Sequence, residues 1–172
     1  LSFADHAIAF RRIQSADDFA THYPFAPYQF QLLQKVFESI RKVGATGRHL
    51  AKGKRSMLDA FQTAAVHNGQ RSTQALVPLY FYPSIESFLD SSVKRAIDQA
   101  SDNPGLQPWD LKLLRALFLI RYADAVKGSV DNLATLCLDE IDADKLALKR
   151  RISESLERLE RHLPRQPLPV YV

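Results

Sequence analysis

The chain is short of cysteine, glycine and tryptophan, and it has no long uncharged apolar run. Each shortage removes a class of protein. The one cysteine, Cys137, can neither close an intrachain disulfide nor build a zinc site. It sits in an apolar helical pattern and reads as a small core residue, which fits a reducing, cytoplasmic setting. Six glycines against nine prolines are few for a turn-rich β fold and favour helices. No stretch approaches the ~18 apolar residues of a membrane span. The start, LSFADHAIAF, lacks the cationic opening and cleavage site of a secretory leader. It also lacks an initiator methionine, and the chain is expected to be a fragment or a processed piece of something longer. His6, His22, His49, His67 and His162 show no metal-ligand spacing, and no nucleophile, base and acid are tied together, so no metal and no catalytic residue is expected.

What is present is ordinary for a globular protein. The chain has 172 residues, 46% of them hydrophobic and 24% charged, enough for one large domain or two small ones. The net charge of +4 suits a phosphate-bearing partner without requiring one.

Apolar spacing predicts an all-α chain. A short helix is expected over 2–14, with Phe3, Ile8 and Phe10 as its apolar residues. Ser15 caps a second, which ends before Tyr23-Pro24 because a residue preceding proline leaves the α region. Pro27 opens the next helix, where its missing N–H does no harm. Phe30, Leu33, Val36, Phe37 and Ile40 form its buried stripe, and Gly44 ends it. A third helix begins near Ser56, with Met57, Leu58, Phe61, Ala64 and Ala65 on one face and Asn68-Gly69 as its stop. Residues 70–83 are rich in β-forming side chains, but Pro78 interrupts them, so an extended segment packed on helices is expected. Ser84 caps a fourth helix that turns Ile85, Phe88, Leu89, Val93, Ala96 and Ile97 inward.

Ser101 to Gln107 is all turn formers and marks a boundary between domains at 1–105 and 106–172. Beyond it a helix runs from Pro108 to about Val126, with Leu111, Leu114, Leu117, Phe118 and Tyr122 inward. Ser129 caps a short helix. Asp142 caps a long one through His162, with Leu148, Ile152, Leu156 and Leu159 inward. Pro164, Pro167 and Pro169 then exclude helix before a strand-like Val170-Tyr171-Val172. Helix, short helix, long helix and strand is the order of a winged-helix-like module with a truncated wing.

Two basic stretches carry the candidate chemistry. From Arg41 to Arg55 there are Arg41, Lys42, Arg48, Lys52, Lys54 and Arg55, and no acid. Cations on a glycine-bearing loop that opens a helix suit phosphate, because the helix start adds N–H donors and the positive end of its dipole. A solvated basic loop accounts for the same residues equally well. Gly53-Lys54-Arg55 ends like a P-loop but fails its pattern twice: Arg48 replaces the first glycine and Arg55 the Ser/Thr. The chain alone should not hydrolyse ATP. In the last long helix, Lys149, Arg150 and Arg151 are candidate nucleic-acid or phosphate contacts. Glu154, Glu157 and Glu160 follow them, so any DNA binding is expected to be weak, and protein packing is an equal use.

The run YPFAPYQFQLLQKVF followed by GATGRHLAKGKRSMLDAFQ resembles a segment of the large P-loop ATPases of bacterial BREX phage-exclusion systems, the BrxC/PglY family. The family pattern falls on Tyr23-Pro24-Phe25, Pro27 to Phe30, Leu32 to Gln34, Gly53, Arg55 to Leu58 and Ala60 to Gln62. Lys54 departs from the glutamate usual there. The resemblance is dense over residues 23–62 and looser elsewhere. It implies a piece of an ATPase C-terminal to its nucleotide-binding core: an AAA+-like helical lid over 1–105, then the winged-helix-like module. It implies ATP and magnesium as cofactors of the full-length protein, with none in the isolated chain, and the rest of the ATPase and other BREX proteins as partners, with oligomers of the full-length protein. By analogy with ATPase lids, Arg55 is the candidate phosphate sensor, with Lys54 and Ser56 beside it and Arg48 and Lys52 as further phosphate contacts. A stand-alone helical DNA-binding or adaptor module is the alternative.

Overall fold

Local hydrogen bonding sets most helix starts. In the computed structural model, which describes residues 3, 10–43, 53–71, 74–79, 91–123 and 126–163, Ser15 Oγ accepts from the Asp18 N–H 3.0 Å away and opens α1 (Ala16–His22). The Tyr23-Pro24 turn follows, and Pro27 starts α2 (Pro27–Val43). Next are α3 (Gly53–Asn68) and α4 (Ser91–Ser101). The segment at 102–107 leads into α5 (Pro108–Arg121). Ser129 caps α6 (Val130–Leu136), its Oγ accepting from the Asn132 N–H. Then α7 (Lys145–His162) closes the described chain. The described residues are mostly helical and contain no strand; Ala75 and Glu140 form an isolated antiparallel bridge, and Val126 is a further isolated bridge residue.

The hub is α5, which packs on α4, α6 and α7 while α2 packs on α3. A helix surrounded in this way needs apolar residues on nearly every face, and α5 has them. Trp109, Leu113, Leu114, Ala116, Leu117, Phe118, Leu119 and Ile120 are all buried. One continuous cluster of buried side chains runs from Ala26 and Leu33 through Val77 and Ile97 to Leu133, Ile152 and Leu159, joining residues from both sides of 102–107.

An extended segment stitches this cluster together. Val77 donates its N–H to Pro24 O at 3.0 Å and Leu79 to Leu136 O at 2.7 Å. Leu76 donates to Asp139 O, and Ile141 to Gln74 O. Ala75 to Leu79 are buried, so the bonds made by Leu76, Val77 and Leu79 satisfy backbone groups that water cannot reach. The buried Gln29 amide adds to the stitch, accepting from the Ala26 N–H and donating to Val77 O. Tyr28 OH donates to Thr135 O at 3.3 Å. Cys137 lies fully buried, its thiol pushed up to about 12 first by burial and then by Asp139.

Several expectations are corrected. Residues 10–14 are not helical: the Arg11 N–H goes to Gln31 Oε1 and the Gln14 N–H to Asp18 Oδ2, so side chains take donors that a helix would use. Phe30 and Leu58 are exposed rather than inward, and Ala60 and Ala64 form the fully buried face of α3. The third helix begins at Gly53, not near Ser56. Helix α5 stops at Arg121, short of Val126, where Tyr122 and Ala123 make tighter bonds to Leu119 O and Ile120 O. Asp144, not Asp142, caps α7, its Oδ1 accepting from the Leu146 and Ala147 N–H groups. The expected helix start at Ser84 and the C-terminal strand-like tail lie outside the described residues.

Candidate functional site

Two places hold the chemistry read from the sequence: the α2–α3 connection and the first half of α7. Gly53, Lys54, Arg55 and Ser56 form the first turn of α3. Their side chains, and Arg48 and Lys52 altogether, lie outside the described residues. Arg55 therefore sits one turn deeper in the helix than a start at Ser56 implies. No acid occupies the first turn of α3.

The cations of α7 divide by what they touch. Lys149 Nζ lies 2.5 Å from Asp131 Oδ1, on α6. The Arg151 guanidinium sits 4.2 Å from the centroid of the Trp109 ring, on α5. Among the described residues no ion-pair partner is seen for Lys145 or Arg150, and both are exposed. Of the three candidate contacts on this helix, two are thus engaged inside the protein and Arg150 faces water.

The polar centre that sequence reasoning missed is Asp110. It is fully buried in the first turn of α5. Four donors reach its carboxylate. Oδ1 accepts from Ser155 Oγ at 2.6 Å and Arg158 Nη2 at 2.9 Å. Oδ2 accepts from Arg158 Nε at 2.9 Å and the Gln107 N–H at 2.8 Å. Burial alone would push this carboxyl up. The hydrogen bonds from Arg158, Ser155 and Gln107 outweigh burial and hold it below the ordinary aspartate value. Donating to the Asp110 carboxylate in turn raises Arg158. A carboxylate whose acceptor positions are all taken by its own chain fastens α7 to α5 and has no capacity left for a ligand. Gln107-Pro108 followed by an acid three residues after the cap is a helix-start pattern, and it was the available signal for Asp110.

A second cluster is aromatic. Phe30 stacks on Phe61 with centroids 4.7 Å apart, and Phe25 stands edge-on to both. His22 stands edge-on to Phe30 with centroids 5.8 Å apart, while its Nδ1 lies 2.7 Å from Asp18 O. The Asp18 carboxyl is held low first by the Gln14 N–H, against the opposing effect of burial, with lesser help from Arg11 and His22. Among the described residues no group of three or more His, Cys, Asp and Glu could hold a metal ion, and no helix is long and apolar enough to cross a membrane.

Comparison with known protein families finds no model that matches the chain, and comparison with solved structures finds no match.

Proposed function

We propose that this chain is a non-catalytic part of a BREX-type P-loop ATPase of bacterial anti-phage defence. In this reading 1–105 is a lid-like helical unit and 106–172 a winged-helix-like module with a short wing. Together they couple nucleotide state to assembly or DNA engagement. The observation that carries the reading is the motif run from Tyr23 to Gln62, with its acid-free basic loop feeding the first turn of α3. Tyr28, Gln29, Leu32 and Leu33 of that run are core residues, and Gln29 joins α2 to the extended segment. They would build the unit, which leaves the loop cations for phosphate. Arg55, flanked by Lys54 and Ser56, would read the phosphate of an ATP–magnesium complex held by the rest of the full-length protein, where donors at a helix start are already oriented. The order and lengths of α5, α6 and α7 support the winged-helix-like part.

The test uses the full-length ATPase. Arg55→Ala should lower ATP turnover or nucleotide-dependent assembly by the roughly 2–4 kcal/mol typical of losing one charge-assisted contact to the reacting group. Unchanged turnover and unchanged phage restriction in a folded variant would end the assignment.

A stand-alone DNA-binding or adaptor module draws its support from Lys145 and Arg150, exposed near the start of α7. Two such cations predict only weak, salt-sensitive binding to duplex DNA. Tight, sequence-selective binding at physiological salt would favour this second reading.

A further inference from the structure

The end of α3 meets both halves of the chain at one place. Asn68, its last residue, is buried and donates from Nδ2 to Ala75 O at 3.1 Å. Arg71, just beyond, spreads its guanidinium over several acceptors. Nη1 donates to Asn68 Oδ1 at 3.3 Å and to Leu76 O at 3.1 Å, and Nη2 donates to Asp139 O at 3.5 Å. Nη2 also lies 3.7 Å from Asp139 Oδ2. Asp139 belongs to the connection between α6 and α7. A cation after a helix end commonly serves the last carbonyls of that helix. Arg71 reaches past them, and one side chain ties α3 to the segment at 74–79 and to the approach to α7.

The segment itself is held from two sides. Both backbone groups of Val77 face the α2 side, its N–H donating to Pro24 O and its carbonyl accepting from the Gln29 amide. The neighbouring bonds go to the stretch from Leu136 to Ile141. Leu76 donates to Asp139 O, Leu79 donates to Leu136 O, and Gln74 O accepts from the Ile141 N–H. Ala75 forms its bridge with Glu140 there. Such a segment cannot follow one side and leave the other without stranding buried polar groups, each of which is costly. Three residues after Ile141, Asp144 caps α7, and the Leu148 N–H donates to Asp144 O at 2.9 Å. A series of hydrogen bonds thus leads from the end of α3 to the first turn of α7.

We infer that Arg71 is a positioning residue that passes a displacement of α3 to the start of α7. Gly53 and Asn68 bound α3, so its two ends are about 22 Å apart at the usual rise per residue. A shift imposed on the first turn, at Gly53 to Ser56, arrives at Arg71 as the sliding of one helix. What would impose that shift rests on the phosphate reading proposed above. The link itself is a property of this chain and is tested without nucleotide.

The experiment is amide hydrogen exchange of the whole chain, read residue by residue by NMR. It compares the unsubstituted chain with Leu58→Gly, Arg71→Gln, Arg71→Lys and the two double variants that carry Leu58→Gly. Leu58 is 68% exposed, so glycine there loosens α3 without opening the core. Exchange in α3 should rise about threefold to fivefold. The Leu76, Ile141 and Leu148 amides should rise by the same factor, while the amides of α4 keep their rates. With Arg71→Gln present, Leu58→Gly should still speed α3 but no longer those three amides. Arg71→Lys keeps the charge and loses the fork of donors, so it should behave like Arg71→Gln. A rise confined to α3 when Arg71 is intact would overturn the inference. So would a rise that reaches α4 equally, which is global unfolding, or one that still reaches Ile141 and Leu148 without Arg71. None of these outcomes depends on Arg55, whose replacement in the full-length ATPase tests the phosphate site separately.

Discussion

Asp110 and Arg158 face each other across the α5–α7 contact in a two-pronged ion pair, Nε to Oδ2 and Nη2 to Oδ1, both at 2.9 Å. The carboxylate is fully buried and the arginine mostly so, with 21% of its side chain exposed. Removing one partner strands the other in a place water reaches poorly. Asp110→Ala should therefore cost about 3–5 kcal/mol of folding stability, read from urea unfolding at neutral pH. A cost within the error of the extrapolation would mean that the pair is not formed in solution.

The same residue sets a pH dependence. The Asp110 carboxyl is held below its ordinary value of 3.8 in the folded protein. Its contribution is then complete above that value and is lost as the pH falls through the lower, folded one. Unfolding curves of the unsubstituted chain and of Asp110→Asn should be well separated at neutral pH and converge below the ordinary aspartate range. A separation that stayed constant into strong acid would contradict the shift.

Trp109 is the only tryptophan, so its fluorescence reports on one place, the start of α5 beneath Arg151. Arg151→Ala uncovers a ring that is now 6% exposed. Its emission should move to the red, at a cost of about 0.5–1 kcal/mol in stability. Emission that stayed in place would show that the guanidinium does not cover the ring.

Gly105 is glycine for reasons of space. A Cβ there would lie 2.4 Å from two atoms of the His162 ring and 2.9 Å from its Cγ. The adjoining turn is pinned, with Asn103 Nδ2 donating to His162 O and Asn103 Oδ1 accepting from the Gly105 N–H. Gly105→Ala should push the exposed His162 ring aside and lower the melting temperature slightly. His162→Ala in the same chain should restore most of the loss. Additive rather than compensating effects in thermal melts would argue against this contact.

Sequence alone determined the features whose causes lie within a few residues of one another. Ser15 and Ser129 start their helices by accepting from an N–H three residues on, and proline-directed starts at Pro27 and Pro108 depend on one ring. The mostly helical character followed from apolar spacing in the same way. Long-range contacts decided the rest. Asp110 finds Arg158 forty-eight positions later, and no local pattern marks that pairing. Lys149 and Arg151 read as surface cations until α6 and α5 arrive beneath them with Asp131 and Trp109. Phe30 and Leu58 fit their apolar stripes by spacing and still ended outside, because helix period says which residues share a face but not which face meets the core. That choice belongs to packing, where α5 takes the centre and the small Ala60 and Ala64, rather than Leu58, form the buried face of α3.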